Sequence, residues 1–286
     1  MIIKNPTIII KGSAETLGGE YNIEQIVDGD NCELVVTTAG QPESKLAQVV
    51  DRSVTEITAK DLAGITSIGR YAFEGCYDLI SIGIPNSVTS IDNGAFTYCS
   101  NLKSVYINDL SSWLNIDFFT SLSNPCYPGE ASLYLNNKLL TNLVIPDDIT
   151  EIKSYAFERV SSLETVTISN NVTRIGYDAF RFCDSLESIE IQDGVISIGS
   201  YAFSDCTSLT SITIPDSVTS IGSYVFYDCT ALTEMTILAT TPPELVSTNA
   251  ISSATTTIYI PAGTLNAYQT ATNWSDFADL FVEMEA

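Results

Sequence analysis

Histidine is absent from the 286 residues, and only 12 lysines and arginines stand against 35 aspartates and glutamates, a formal charge of −23. Without histidine the chain has neither the commonest general base nor the commonest zinc ligand. Ser-His-Asp and Cys-His centres are excluded. So few bases cannot neutralise a phosphate backbone or grip an anionic bilayer, which speaks against nucleic acid and membrane surfaces as partners. No lysine or arginine follows Arg181, whereas residues 182–286 hold 13 acids, so the last 105 residues carry −13 of the total charge. Long apolar runs are missing as well. Nothing approaches the roughly 20 residues of a spanning helix, and the run at residues 8–10, between Pro6 and Lys11, is too short for the core of a secretory signal. The expectation is a chain without membrane insertion whose export signal has been trimmed, or which leaves its cell by another route. Charged residues make up only 16%, and 32 serines and 31 threonines take their place. With 45% hydrophobic residues the chain is nevertheless a folding sequence, not a disordered acidic tail.

What is present is a period. Phe73 and Phe96 lie 23 residues apart, and Phe157, Phe180, Phe203 and Phe226 continue at that step. Cys76 and Cys99 share it, as do Cys183, Cys206 and Cys229, and as do Ile152, Ile175, Ile198 and Ile221. In the unit 195–216 the apolar positions are Val195, Ile198, Ala202, Phe203, Cys206, Leu209, Ile212 and Ile214, closed by Pro215. Steps of three or four up to Ile212 suit a helical or 3₁₀ turn. The final step of two, halted by proline, reads as a short strand. A unit of 23 residues with one short strand cannot bury its own apolar face and must stack on copies of itself.

The 61 residues from Phe96 to Phe157 exceed two repeats by 15, which places an insert near 108–142. It holds Trp113, Phe118, Phe119, Pro125, Cys126, Tyr127 and Pro128, and residues 133–140 read as a hairpin turning at Asn136-Asn137. An aromatic insert of this kind is either a local minicore folded onto the body, which is the expectation, or a functional loop. Three segments follow: an N-terminal β-rich cap or docking unit at 1–50, the solenoid at 51–240, and a C-terminal cap at 241–286. Residues 21–27 and 32–38 flank Asp28-Gly29-Asp30-Asn31 as a hairpin, and residues 53–58 supply a first strand. Residues 263–280 read as helical, with Thr264 at the N-cap and Trp274, Phe277 and Phe281 available to cover the last coil.

The phrase V-T-S-I-G-S-Y-A-F-x-x-C-x-x-L-T-S-I-T-I-P resembles the BspA-like, Treponema-type leucine-rich repeats of bacterial surface proteins, over roughly residues 53–286. Val160 in place of Cys, Gly94 and Asp178 in place of Tyr, and Leu238 in place of Pro depart from it without breaking register. The resemblance implies a β-rich leucine-rich-repeat solenoid, a right-handed curved stack of 23-residue coils with a parallel sheet and short 3₁₀ turns, capped at both ends. It implies a non-enzymatic adhesion or protein-recognition module at a bacterial surface or secreted, with host extracellular-matrix or bacterial surface proteins as partners, while the acidity by itself suits a monomer. A structural or receptor-binding part of a phage tail or secreted assembly is the alternative, suggested by Met1 without a signal and by the non-repeat start.

No cofactor, metal or catalytic residue is expected. The repeat cysteines invite reading as a metal or disulfide ladder, but an odd total of 7 and Val160 in the series favour stacked buried residues. The outward side of the strands, next to the first inward residue of each, is either a simply solvated sheet or a weak, multivalent contact face. It comprises Ser81 and Gly83, Ser104 and Tyr106, Asn142 and Val144, Thr165 and Thr167, Ser188 and Glu190, Ser211 and Thr213, and Glu234 and Thr236. Stacked about 4.8 Å apart, these make a small polar surface with Tyr106 as its aromatic. Tyr71, Tyr155, Tyr201 and Tyr224 form a second ladder two residues before the buried phenylalanines, suited to an exposed rib or, as expected here, to a sealed edge of the core.

Overall fold

The structure, a computed structural model, describes residues 52–128, 131–251 and 256–285, with Thr7–Ile8, Val27–Asp28, Lys45–Leu46 and Val49. The chain divides into two compact units, Met1–Leu139 and Leu140–Ala286.

Each coil is built from three hydrogen-bonded sides rather than one. The T-S-I-T-I phrase makes a longer strand such as Ser211–Ile214, with alternate residues buried. The V-T-S-I phrase makes a second, two-residue strand such as Ser220–Ile221, which the apolar spacing did not announce. Between them the Y-A-F-x-x-C phrase forms successive tight turns instead of a helix. There Ala202, Ser204 and Cys206 donate their N–H groups within the coil, to Gly199, Tyr201 and Phe203. The alternate residues Tyr201, Phe203 and Asp205 donate to Ser223, Val225 and Tyr227 of the next coil. Every backbone donor in the phrase is thereby satisfied.

That alternation requires left-handed backbone. Tyr201 and Asp205 have φ of 59° and 61°, and Tyr155, Arg159, Phe182, Tyr224 and Asp228 repeat the conformation. It costs a non-glycine residue about 1–2 kcal/mol, offset here by the bonds to the next coil. The two departures from tyrosine at this position now have a reason. Gly94 (φ 68°) and Asp178 (φ 53°) are residue types that favour this region. At Gly94 a Cβ would also strike the ring of Tyr71.

In the first unit the longer strands Glu56–Ile57, Ser81–Gly83, Ser104–Ile107 and Ser132–Leu135 pair in parallel. Lys138–Leu139 turns back antiparallel on the last of them through Asn136 and Asn137, both at positive φ. The hairpin expected at 133–140 is therefore present, and its first strand also serves as a rung of the solenoid. Lys45–Leu46, Ser67–Ile68, Ser90–Ile91 and Asp117–Phe118 form the second parallel sheet. The insert begins as a one-turn helix, Leu110–Leu114, whose N-cap Asp109 accepts from Ser112 N–H. Trp113, Phe118 and Cys126 are buried, as a minicore requires, while Phe119 is exposed. Val27–Asp28 pairs antiparallel with Thr7–Ile8; the hairpin partner expected at 32–38 lies outside the described residues.

In the second unit the shorter strands Glu151–Ile152, Arg174–Ile175, Ser197–Ile198, Ser220–Ile221 and Glu244–Leu245 run as one parallel sheet. The longer strands do not. Asn142–Val144, Thr165–Ile168 and Ser188–Ile191 form one sheet, and Ser211–Ile214, Glu234–Ile237, Thr257–Ile260 and Phe281–Glu283 another. A single continuous sheet face was expected, and in this unit it is split. At Gly194 a Cβ would overlap the Asn170 carbonyl, so that coil lies close against its predecessor, on the side where the strands stay paired. In two other coils a serine bonds from this position to the preceding coil, Ser87 Oγ to Ile65 O at 2.6 Å and Ser217 Oγ to Val195 O at 2.7 Å.

The core is a set of ladders. Phe157, Phe180, Phe203 and Phe226 stack in sequence with centroids 5.4, 5.5 and 5.7 Å apart. Phe73 and Phe96 do the same at 5.0 Å. All six are at most 1% exposed. The closing segment is helical only in part: Leu265–Thr270 is an α-helix and Trp274–Leu280 a 3₁₀ segment. Thr264 is the N-cap but its side chain does not cap; Glu283 Oε1 accepts from Leu265 N–H at 3.0 Å instead.

Candidate contact surfaces

The residues expected on the strand face do fall into rows. In the first unit Ser81 is in register with Ser104 and Gly83 with Tyr106. In the second, Asn142, Thr165 and Ser188 align, as do Val144, Thr167 and Glu190. Beyond the split, Ser211 aligns with Glu234 and Thr213 with Thr236. Gly83 is the exception to outward exposure: it is buried because the backbone of Thr58 and Ala59 lies over it.

The rows also contain residues not foreseen. Ser132 and Tyr134 continue the rows of Ser104 and Tyr106, and the two tyrosine rings stack at 4.9 Å. Thr257 and Tyr259 continue those of Glu234 and Thr236, with Val282 beside Tyr259. Tyr106 is thus one of three aromatics in these rows. The 23-residue step from Thr236 reaches Tyr259 and could have found it; Tyr134 was hidden because the insert displaces it from the period. Side chains here bond along the row, as Thr165 Oγ1 does to Asn142 Oδ1 at 2.7 Å. Val144, at 65% exposure, is the most open apolar residue of the rows.

The cysteine ladder is structural. Cys99, Cys183, Cys206 and Cys229 are buried, and each thiol donates to the carbonyl of the preceding coil's phenylalanine, Phe73, Phe157, Phe180 and Phe203, at 3.0–3.3 Å. Cysteine is thereby more than a small apolar filler, because its S–H reaches a carbonyl that valine could not serve. Burial pushes the Cys99 and Cys229 thiols up to about 12 and raises Cys126 and Cys206 as well. Cys126 is fully buried, and Cys32 lies outside the described residues. Among the described residues no cluster of metal-ligating side chains occurs. Thiolates being the reactive form, a chromogenic thiol reagent should titrate at most 1 of the 7 cysteines in native protein and all 7 after denaturation. Two or more fast native thiols would contradict this packing.

The tyrosine ladder is more elaborate than a seal. Because Asp178 stands at the usual tyrosine position, Tyr177 enters the ladder one residue early. Tyr177 lies edge-to-face against both Tyr155 (5.6 Å) and Tyr201 (5.7 Å), and Tyr201 stacks on Tyr224 at 4.8 Å. Arg181 sits over the rings of Phe182 and Tyr201 and reaches Asp205 at 3.4 Å and Asp178 at 3.7 Å. Arg159 covers Phe182 at 4.3 Å.

Asp178 is 2% exposed. Burial raises its carboxyl to about 6, with Arg181 and a hydrogen bond from Tyr177 only partly opposing. An unfolded aspartate titrates near 4. The fold therefore carries the cost of an ionised Asp178 above pH ~6 and is relieved of it as the pH falls from about 6 toward 4. Asparagine tolerates the φ of 53° and keeps the shape. Asp178→Asn should raise stability at pH 7.5 by about 1–2 kcal/mol, after discounting for solvent screening. The gain should vanish below pH ~4. Denaturant midpoints at the two pH values decide it; a variant no more stable than wild type at pH 7.5 would contradict the buried-charge cost.

The chain matches the model of the BspA type leucine rich repeat region at residues 51–124 and 130–255, in 6 copies, and it belongs to that family. No curated protein matches it. Among solved structures it is similar to the T. pallidum leucine-rich repeat protein, at 28% identity over 49% of this chain and 62% of that one, with a TM-score of 0.41. The chain thus spans less than two thirds of the length of the Treponema protein. A leucine-rich repeat protein from Bacteroides ovatus is 19% identical over 89% and 74% of the two chains, TM-score 0.49. A leucine rich cell surface protein from Faecalibacterium prausnitzii is 16% identical over 85% and 97%, TM-score 0.44. Among the described residues no helix is long and apolar enough to cross a membrane.

Proposed function

We propose that this protein is a non-enzymatic recognition module, displayed at a bacterial surface or secreted, that contacts host or neighbouring-cell proteins through the outward faces of its longer strands. Family membership supports the class of function. The observation that carries the site is the Tyr106–Tyr134 stack, 4.9 Å between centroids, half-exposed on a sheet otherwise clothed in serine and threonine. Tyrosine supplies large contact area at low entropic cost and is enriched at binding hot spots. The second unit's rows, with Glu190 and Glu234 exposed and small hydroxyl residues between, suit weaker contacts that gain strength by multivalency.

Cells displaying the chain should bind immobilised extracellular-matrix proteins more than cells lacking it. Tyr106→Ala with Tyr134→Ala should reduce that binding about tenfold or more, with the fold retained by circular dichroism. Binding equal to that of the deletion strain, or undiminished in the double variant, would sink the reading.

A further inference from the structure

The second unit carries, on its turn side, an array of aromatic rings that the strand-face reading does not use. Tyr201 and Tyr224 are stacked within 5° of parallel and 4.8 Å apart, the spacing of adjacent coils, so their faces look along the stack. Tyr177 stands 70° to Tyr201 and presents its edge to that ring. Tyr177 is likewise steeply inclined to Tyr155, at 71°, and it is 37% exposed. Tyr227 stands 71° to Tyr224 of its own coil and is 44% exposed. Its ring centroid lies 5.5 Å from that of Tyr224. Two exposed tyrosines are thereby set about two coils apart along the stack, roughly 10 Å, with Tyr201 and Tyr224 in the coils between and beside them.

The polar groups on this ridge are fixed by their partners, and acids outnumber the guanidinium, since Arg181 reaches both Asp178 and Asp205. Arg181 is held over Tyr201 and paired with Asp205, whose Oδ2 also accepts from Ser204 Oγ at 2.7 Å. Asn249 Nδ2 donates to the Tyr224 hydroxyl at 3.0 Å. A guanidinium beside a carboxylate offers donors and acceptors side by side, as a vicinal diol needs, while the excess of acid disfavours an anionic ligand. Exposed ring faces with a negative quadrupole suit the polarised C–H faces of pyranose rings. Two coil spacings match the advance of two sugar rings in an extended β-linked chain.

We propose that the ridge formed by Tyr177, Arg181, Tyr201, Asp205, Tyr224 and Tyr227 binds an extended, uncharged glycan. Tyr177 and Tyr227 are the stacking platforms, and the Arg181–Asp205 pair reads the hydroxyls between them. This goes beyond the strand-face reading, which concerns other residues and a protein partner.

The test is isothermal titration of the full chain with a panel of neutral hexasaccharides: β-linked glucose, N-acetylglucosamine, mannose and galactose oligomers. Heparin hexasaccharide and polyglutamate serve as charged probes. At least one neutral oligomer should bind saturably, and the charged probes should not. Tyr177→Ala and Tyr227→Ala should each weaken binding about tenfold, whereas Tyr177→Phe, which keeps the ring, should stay within about threefold. Tyr106→Ala, on the strand face, should leave glycan binding unchanged. The proposal is overturned if no neutral oligomer binds, if a charged probe binds in its place, or if Tyr106→Ala lowers affinity as much as Tyr177→Ala. A matrix protein retained by wild type and lost on Tyr177→Ala, with no glycan bound, would overturn it in favour of a second protein site. Loss of matrix binding on the strand-face double variant is a separate result and bears only on the proposed function.

Discussion

Phe203→Ala should lower the unfolding free energy by about 3–5 kcal/mol. The ring is fully buried between Phe180 and Phe226, 5.5 and 5.7 Å away and nearly parallel to both. Removing it deletes its own burial and leaves each neighbour without a stacking partner on one side. Collapse cannot refill the space, because the backbone is pinned coil to coil at this point: Phe203 N–H bonds to Val225 O and Phe180 N–H to Ala202 O. A cavity in a stack also weakens the nearest-neighbour interface from which a repeat array draws its stability. Phe203→Leu, which keeps most of the volume, should cost about 1.5 kcal/mol or less. Denaturant titration of both variants separates a packed ladder from a merely aligned one. An alanine variant within 1 kcal/mol of wild type would contradict the ladder's role.

Trp274→Ala should cost a similar amount, about 3–5 kcal/mol, but in a different place. The closing segment is fastened to the last coil through three carbonyls. Trp274 Nε1–H donates to Pro243 O, Tyr268 OH to Ala239 O, and Asn273 Nδ2 to Leu245 O, at 2.6–2.7 Å. Trp274 is 1% exposed and meets Tyr268 edge-on at 5.6 Å. Its loss removes apolar burial and leaves the Pro243 carbonyl without its donor. Hydrogen exchange should therefore accelerate first in residues 256–285 and the adjoining coil, whereas Phe203→Ala should loosen the coils on both sides of its own position. Trp274→Phe keeps ring burial without the donor and should fall between wild type and alanine. Uniform loosening in both variants would show that cap and body unfold as one unit and that no distinct cap exists.

The legible part of this fold was its period. Ile198, Phe203, Cys206, Leu209 and Ile212 announce buried positions by recurrence, and all are buried. The hairpin turning at Asn136-Asn137 and the burial of Trp113 and Cys126 were legible for the same reason: local turn chemistry and apolar content. The turns were not. A reading by spacing gives a helical or 3₁₀ step for Y-A-F-x-x-C, yet Tyr201 and Asp205 are left-handed. Their N–H groups are used by the next coil, and no single repeat contains that partner. The contact rows were half legible. Ser104, Tyr106, Thr165 and Thr213 were placed by alternation, but Tyr134 joined them only through a parallel pairing across the insert.

By itself the sequence determined the repeat length, the identity of the stacked core residues, the absence of histidine chemistry and the uncompensated acidity of the C-terminal coils. These are local or summed properties, and a chain of independent repeats would have them too. Only the tertiary structure decided where the sheet splits, between Ser188–Ile191 and Ser211–Ile214, because strand pairing depends on how adjacent coils sit against each other. It alone turned Tyr177 across its ladder, since Asp178 takes the left-handed position and leaves the ring one residue early. It also turned a row of cysteines into thiol donors to phenylalanine carbonyls one coil away. The common reason is that every one of these features is a relation between coils, and a period states that coils stack without stating how closely.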